Sequence, residues 1–109
     1  MKRGEVWTAS GGQDYASKPR PVVIFQADQF PHTDSITICP LSTDETDVPL
    51  VRIPVAPSEG NGLRRSSRIM VDKIATIRRS KMGKRIGRLA NDDVARLSDA
   101  VIVLLGLGD

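Results

Sequence analysis

The sequence predicts a small, mostly antiparallel β protein that ends in a single α-helix. Six or seven short apolar segments are separated by turn residues, which is typical of a small barrel or a strongly curved sheet. Only the last part of the chain changes to the three- and four-residue spacing of a helix. With 109 residues, 27 of them Val, Ile or Leu, the chain is predicted to form one domain, residues 1–109, around an aliphatic core.

The first three strands are predicted from apolar segments in the N-terminal half. They are Gly4–Thr8, Pro21–Phe25 and Ser35–Leu41. The second segment is continuously apolar, which predicts a strand that is buried on both faces. The third alternates with period two, so Ile36 and Ile38 share one face and Cys39 packs on the other.

The remaining strands are predicted from shorter apolar segments. They are Leu50–Val55, Ser67–Val71, Ile74–Arg78 and, as a weaker candidate, Lys84–Leu89. Pro54 has no N–H to donate to a neighbouring strand, which favours an edge position for the first of these.

The helix is predicted to begin after Asn91, a favourable N-cap residue, with Asp92 and Asp93 at the positive end of its dipole. Its apolar face recurs at helical spacing through Val94, Leu97, Val101, Leu104 and Leu105. Gly106 and Gly108 are predicted to end it.

Composition excludes several classes of protein. One cysteine, Cys39, excludes an internal disulfide framework and a Cys-only zinc site, and one histidine, His32, excludes a His-based metal cage. We therefore predict no metal and no cofactor. The N-terminus lacks the apolar core of a secretory signal, and the longest strongly apolar run, Val101–Leu105, is far short of the ~20 residues of a membrane span. The prediction is a soluble, cytoplasmic protein that does not bind membranes.

Positive charge is concentrated in residues 64–88. This segment contains ten basic residues and one acid, Asp72, and so carries +9, whereas the other 84 residues carry −6. Such asymmetry favours a cationic surface for a polyanion, most simply a nucleic acid. A solvated basic surface or an interface for an acidic protein are the alternatives.

Three short motifs carry candidate chemistry. Arg20 lies between Pro19 and Pro21, which hold it in an extended conformation at the start of a buried strand, and its guanidinium suits phosphate oxygens. Ser42 follows the third strand, where a hydroxyl can donate to phosphate or serve as an ordinary turn residue. Asp72 lies among positive charges, so we expect a lowered pKa and pairing with a neighbouring Arg or Lys.

Read in order, these residues resemble the MazF/PemK toxin family. The resemblance covers nearly the whole chain: it is carried by the opening Met1–Trp7, the polar loop after it, Arg20–Ile24, Ile38–Ser42, Arg68–Ile77 and the terminal amphipathic helix. The family implies an SH3-like barrel and a homodimer. It also implies metal-independent, sequence-specific cleavage of single-stranded RNA, and a cognate antitoxin whose acidic, flexible tail covers the active cleft.

The resemblance implies functional roles for particular residues. Arg20 matches the family's catalytic arginine, Ser42 stands where a catalytic threonine is common, and Asp72 matches an acid near the scissile bond. Asp14 or Asp72 is then the candidate to accept the 2′-hydroxyl proton. The side chains expected to bind RNA are Lys18, Thr43, Arg68, Lys73, Arg78 and Arg79.

The chain departs from the family pattern at two places. Some relatives have a histidine in the first loop, where this chain has Gln13, Asp14 and Tyr15, and some have an arginine at the position of Met70. Two alternatives therefore stay open. One is a CcdB-type toxin, which has the same fold but binds DNA gyrase without catalysis. The other is an inactive nucleic-acid-binding barrel.

Overall fold

Seven strands and one helix make up the protein in a computed structural model that describes residues 1–10, 18–45 and 51–108. The strands are β1 (Glu5–Ala9), β2 (Arg20–Ile24), β3 (Ser35–Ser42), β4 (Arg52–Val55), β5 (Ser67–Met70), β6 (Ala75–Arg78) and β7 (Met82–Arg88). The helix, α1, spans Asn91–Leu105. Every predicted strand is confirmed, including the weak seventh one, with ends shifted by two residues at most.

The strands pair antiparallel in the order β4-β5-β3-β2-β1-β7, and β6 pairs with β3. The eight residues of β3 reach three partners, because β2 pairs with its middle, β6 with its first half and β5 with its end. Pro54 lies in β4 at one edge of the sheet, as predicted. In the part of the chain that the structure describes, β4 and β7 do not pair with each other. The sheet is therefore curved but not closed, and the predicted barrel is correct only in a loose sense.

The helix ends as predicted, but its predicted cap is wrong by one residue. Asn91 is the first helical residue and Ala90 is the N-cap, with no side-chain capping bond. The Ala90 carbonyl accepts hydrogen bonds from the N–H groups of Asp93 and Val94, so the first turn already closes on Ala90. At the other end Gly106 adopts φ 68°, the left-handed conformation that glycine supplies without a Cβ clash.

Two apolar clusters lie on opposite faces of the sheet. Leu97 and Val101 of α1 pack with Val23, Cys39 and residues of β4 and β5 in the larger cluster. The smaller cluster contains Ala9, Val22, Ile24, Ile36 and Ile38, with Trp7, Ile77 and Met82 at its margin. Adjacent residues Val22 and Val23 thus belong to different clusters, which confirms that β2 is buried on both faces. Among the described residues, no helix is long and apolar enough to cross a membrane.

Candidate active site

A cavity of about 190 Å³ opens at the margin of the smaller apolar cluster, where β2 begins and β3 ends. Arg20 and Ser42 both line it, so the fold brings together two of the residues predicted to be catalytic. The other lining residues are Ala9, Ser10, Val22, Ile38, Pro40, Leu41, Met70, Ala75 and Ile77. The cavity therefore has largely apolar walls, with one guanidinium and two hydroxyls as its polar groups.

Strand register explains why Arg20 and Ser42 meet. Arg20 lies opposite Ala9 on β1, and Val22 lies opposite Pro40 on β3. Arg20 and Ser42 each lie two residues beyond this last pair, so both lie at the same end of the β2–β3 ladder. Alternation along β2 then turns Arg20 to the same face as Val22, towards the cavity.

The hydroxyl of Ser42 is oriented by the turn that follows β3. Its Oγ accepts a hydrogen bond from the backbone N–H of Asp44 at 3.0 Å. A hydroxyl has a second role as donor. With its oxygen engaged on the turn, the O–H of Ser42 is suited to donate towards a group inside the cavity.

Asp72, the third predicted catalytic residue, does not line this cavity. It lies in the 3₁₀ turn Val71–Lys73, and its two carboxylate oxygens accept hydrogen bonds from Nε and Nη2 of Arg52, at 2.9 and 3.1 Å. This bond to Arg52, together with the positive charge that it brings, lowers the pKa of Asp72. The predicted ion pair is confirmed, but the partner comes from β4 and not from the basic segment. An ionised carboxylate held at both oxygens is a poor acceptor for a substrate proton.

The chain matches known toxins over nearly its whole length. Residues 2–105 match the family model of the PemK-like, MazF-like toxins of type II toxin–antitoxin systems. The chain belongs to this family. It is 44% identical over 107 residues to a protein of Mycolicibacterium smegmatis named probable endoribonuclease MazF, a match that covers 98% of each chain. The family prediction is therefore confirmed, and the gyrase-binding alternative is not favoured.

Solved structures of such toxins have the same fold. One is an endoribonuclease in complex with its cognate antitoxin from a mycobacterial species, with a TM-score of 0.80 and 21% identity, over 98% of this chain and 96% of that one. Another is the Mycobacterium tuberculosis toxin MazF-mt6, with a TM-score of 0.78 and 24% identity, over 94% of this chain and 96% of that one.

The other predicted site residues of the toxin are distributed over several surfaces. Asp14 lies outside the described residues. Lys18 is exposed just before β2, and Lys73 is exposed beside Asp72. Thr43 and Arg68 line a groove of about 210 Å³ that also includes Asp44 and Glu45.

Arg78 and Arg79 lie at the opposite end of β3 from Ser42. Both line an open groove with His32 and Ser35. The guanidinium of Arg79 already donates to the carbonyl oxygens of Thr33 and Phe30, so it holds the loop before β3 in place. Of this pair, Arg78 is the exposed one and is better suited to bind RNA.

Positive charge from the basic segment is divided between separate surfaces. Arg85 on β7 forms an ion pair with Glu5 at 3.4 Å, and Arg88 donates to the carbonyl of Arg3. Arg68 and Arg78 line two other, separate grooves. The basic residues of segment 64–88 are therefore spread over several surfaces and do not form the single cationic face that the sequence favoured. The physical reason is that β5 pairs with the end of β3, β6 pairs with the first half of β3, and β7 pairs with β1.

Sequence reasoning missed Ser10 and recognised Met70 only as a departure from the family. Ser10 lines the cavity, and its N–H and hydroxyl both donate to the carbonyl of Lys81. The antiparallel pairing of β1 with β2 was the signal that places it beside Arg20. Met70 gives the cavity an apolar wall at the position where some relatives have an arginine.

Cys39 packs in the core as predicted. It is fully buried in the larger apolar cluster, and this burial raises the pKa of its thiol to about 12. A thiol that stays protonated at neutral pH is a weak nucleophile. Within residues 1–10, 18–45 and 51–108, no group of three His, Cys, Asp or Glu side chains is placed to hold a metal ion.

Proposed function

We propose that this toxin cleaves single-stranded RNA without a metal ion, by attack of a 2′-hydroxyl on the adjacent phosphorus. The products are a 2′,3′-cyclic phosphate and a 5′-hydroxyl. The prediction of an endoribonuclease is itself confirmed by the 44% identical relative and the family match. The observation that carries the mechanism is that Arg20 and Ser42 line one cavity. This is the function proposed for the single toxin domain predicted at residues 1–109.

Arg20 is the group proposed to stabilise the transition state. The nucleophile belongs to the RNA, so the protein has to align it, move protons and stabilise the charge that develops on the phosphorane oxygens. A guanidinium stays charged at every working pH and offers two parallel donors to phosphate oxygens. The apolar walls of the cavity lower the local polarity, which strengthens this interaction.

Ser42 is proposed to donate its hydroxyl to a nonbridging phosphate oxygen beside Arg20. Its bond from the Asp44 N–H supports this role, because it holds the oxygen in a fixed position. A donor fixed before the substrate binds requires little reorganisation during the reaction.

The acceptor of the 2′-hydroxyl proton is proposed to be Asp14. The two sequence candidates were Asp14 and Asp72, and the pairing of Asp72 with Arg52 argues against the second. A guanidinium offers only donors, so Arg20 does not serve as the base, and it is proposed to donate a proton to the leaving oxygen. Lys18, Thr43, Arg68, Lys73 and Arg78 are proposed to contact the RNA outside the cavity.

The proposed assembly is a homodimer in the cytoplasm that a cognate antitoxin inhibits through an acidic segment. A relative of the same fold was solved in complex with its cognate antitoxin. The end of α1 supports the homodimer, because several large apolar side chains there are exposed: Ile102, Val103, Leu104, Leu105 and Leu107. Such a patch is typical of an interface between proteins.

Cleavage of a long single-stranded RNA in excess EDTA tests the proposed function. The wild-type toxin should produce discrete fragments with 2′,3′-cyclic phosphate ends, and the flanking bases reveal its target sequence. DNA of the same sequence should bind without being cut, because it lacks the 2′-hydroxyl. No cleavage of a varied RNA, or cleavage that requires added metal, would overturn the proposal. Gyrase supercoiling assays would then test the other toxin class.

A further inference from the structure

A second groove lies directly behind the candidate active site. It has a volume of about 470 Å³ and is lined by Thr8, Pro19, Pro21, Thr43, Gly62, Leu63, Arg64, Arg65, Ser67 and Ile86. Two of these residues are arginines and none is acidic. The groove around Arg68, in contrast, contains Asp44 and Glu45 beside its arginine. The groove behind the active site, which we call the arginine groove, is therefore a cationic depression with apolar walls.

The arginine groove and the catalytic cavity lie on two sides of one ridge. Along the chain, Pro19 and Pro21 line the groove and Arg20 lines the cavity. At the end of β3, Thr43 lines the groove and Ser42 lines the cavity. Successive residues of a strand face opposite sides of a sheet, which accounts for Arg20 and Pro21 of β2, and Pro19 and Thr43 directly adjoin β2 and β3.

Cross-strand register supports the same arrangement. Ala9 is paired with Arg20, and both line the cavity; Thr8 is paired with Pro21, and both line the arginine groove. The ridge therefore consists of the ends of β1, β2 and β3. If a polymer crosses this ridge with one of its units in the cavity, its next units lie above the arginine groove.

The loop that carries the two arginines is held by a buried side chain. Asn61 is 4% exposed, and its Oδ1 accepts hydrogen bonds from the N–H groups of Ser58 and Leu63. Its Nδ2 donates to the carbonyl of Ala56. A buried amide with three hydrogen bonds to the backbone fixes that backbone more firmly than solvent does.

Contacts with β7 fix the same loop from the other side. Gly62 has φ +71°, and a Cβ on it would overlap the carbonyl oxygen of Ile86. The N–H of Arg88 donates to the carbonyl of Gly60, and the hydroxyl of Ser67 donates to the carbonyl of Arg65. The backbone at Arg64 and Arg65 is thus positioned before any ligand binds, which lowers the entropy lost on binding.

We propose that Arg64 and Arg65 form a phosphate-binding subsite for the RNA nucleotides that flank the cleaved bond. This inference rests on the proposed endoribonuclease function. The guanidinium groups bind backbone phosphates, and the proline, leucine and isoleucine side chains of the groove contact sugar and base faces. Because phosphate contacts carry no sequence information, the subsite positions the RNA on the ridge and leaves base recognition to other residues.

The test compares Arg64→Ala and Arg65→Ala with Lys2→Ala, in which an exposed lysine outside the groove is removed with the same change in net charge. Two RNA oligonucleotides are used: a short one limited to the mapped cleavage sequence, and one extended by several nucleotides on both sides. Each has a 2′-deoxy sugar at the cleavage position for binding and a ribose for kinetics.

Each arginine variant should bind the extended RNA about fivefold more weakly than wild type at 0.1 M salt, with KM raised and kcat unchanged. The slope of log Kd against log salt concentration should fall by about 0.7 for each arginine removed, as expected for one lost phosphate contact on a single strand. Affinity for the short RNA should stay at the wild-type level. Arg64→Lys should restore most of the salt slope, because the charge is kept.

Several results would overturn the subsite. Arginine variants that match Lys2→Ala on the extended RNA, or that lose affinity equally for the short RNA, would show that the groove does not hold flanking nucleotides. Arginine variants with normal RNA binding but weaker binding of an acidic antitoxin segment would assign the groove to protein. If wild-type protein does not cleave at all, the proposed function fails regardless of the arginines, so the two failures are distinguishable.

Discussion

Arg20 and Asp72 were both predicted to be catalytic, and Arg20 begins β2 while Asp72 lies in the turn that follows β5, yet their surroundings differ. Arg20 lines a cavity with the hydroxyl of Ser42, whereas Asp72 is held at both carboxylate oxygens by Arg52. The first arrangement places a guanidinium in the wall of a cavity, and the second pairs a carboxylate with an arginine within the protein. Two residues that the sequence predicted to act together therefore have different surroundings, because different strands meet at each of them.

The largest effect that this comparison predicts is the loss of cleavage activity when Arg20 is replaced. Arg20→Ala should lower kcat for RNA cleavage by roughly 10²–10³-fold, because it removes a preorganised donor to the transition state. Single-turnover cleavage of the mapped RNA measures the loss. Arg52→Ala removes the arginine that pairs with Asp72 and serves as the matched control. Its activity should be close to wild type. Activity of Arg20→Ala within a few-fold of the control would remove Arg20 from the mechanism.

A smaller effect is expected for Ser42. Ser42→Ala deletes one hydrogen-bond donor to a charged phosphate oxygen, which costs about 1.5–3 kcal/mol and so lowers kcat by roughly 10–100-fold. The same single-turnover assay measures it, and Ser80→Ala, which removes an exposed hydroxyl outside the cavity, is the control. If Ser42→Thr restores the rate while Ser42→Ala does not, the hydroxyl is the group that acts. Equal rates for Ser42→Ala and wild type would contradict its role.

The smallest effect is predicted for Asp72. Asp72→Asn should leave cleavage within about twofold of wild type and lower the free energy of unfolding at pH 7 by at most about 1 kcal/mol, as for a partly exposed ion pair. The pKa of Asp72 is lowered in the folded protein, so its contribution is present above the unfolded value of 3.8 and is lost as the pH falls below it.

Denaturant unfolding of wild type and Asp72→Asn at pH 7 and pH 3 measures that contribution. The difference between the two proteins should shrink at pH 3, which is below the unfolded value, because Asp72 is then mostly protonated in the unfolded chain and folding must release that proton to form the ion pair. A large loss of cleavage in Asp72→Asn, with normal stability, would contradict the structural assignment. Asp72 would then be the proton acceptor, and Arg52 its positioning residue.

Most of the fold was predictable because its signals are local. The alternation in Ser35–Leu41 and the continuous apolar run in Pro21–Phe25 each predicted a strand, and burial of Val22 and Val23 in different clusters agrees with them. The end of α1 at Gly106 followed from the freedom of glycine to adopt a left-handed conformation. The predicted cap at the start of α1 was wrong by one residue, since the carbonyl of Ala90, and not the side chain of Asn91, accepts the first hydrogen bonds.

The candidate site was only partly predictable. Arg20 and Ser42 were identified from their motifs, but that they share a cavity depends on the pairing of β2 with β3. Arg52 was not considered as a partner of Asp72, because twenty residues separate the two in sequence. They meet because β4 pairs with β5, where Arg52 lies opposite Met70.

The sequence by itself determined the strands, the terminal helix, the aliphatic core and the family, since each depends on residue types at short spacing. The tertiary structure decided how the charge is used. Residues 64–88 contain ten basic residues, but β5 and β6 pair with opposite ends of β3 and β7 pairs with β1, so the fold carries that charge to separate surfaces. Strand pairing joins residues far apart in the chain, and electrostatic interactions depend on distance in space. For this reason the sequence predicted a cationic segment, whereas the fold decided that Arg64 and Arg65 lie behind the active-site ridge and that Arg85 neutralises Glu5.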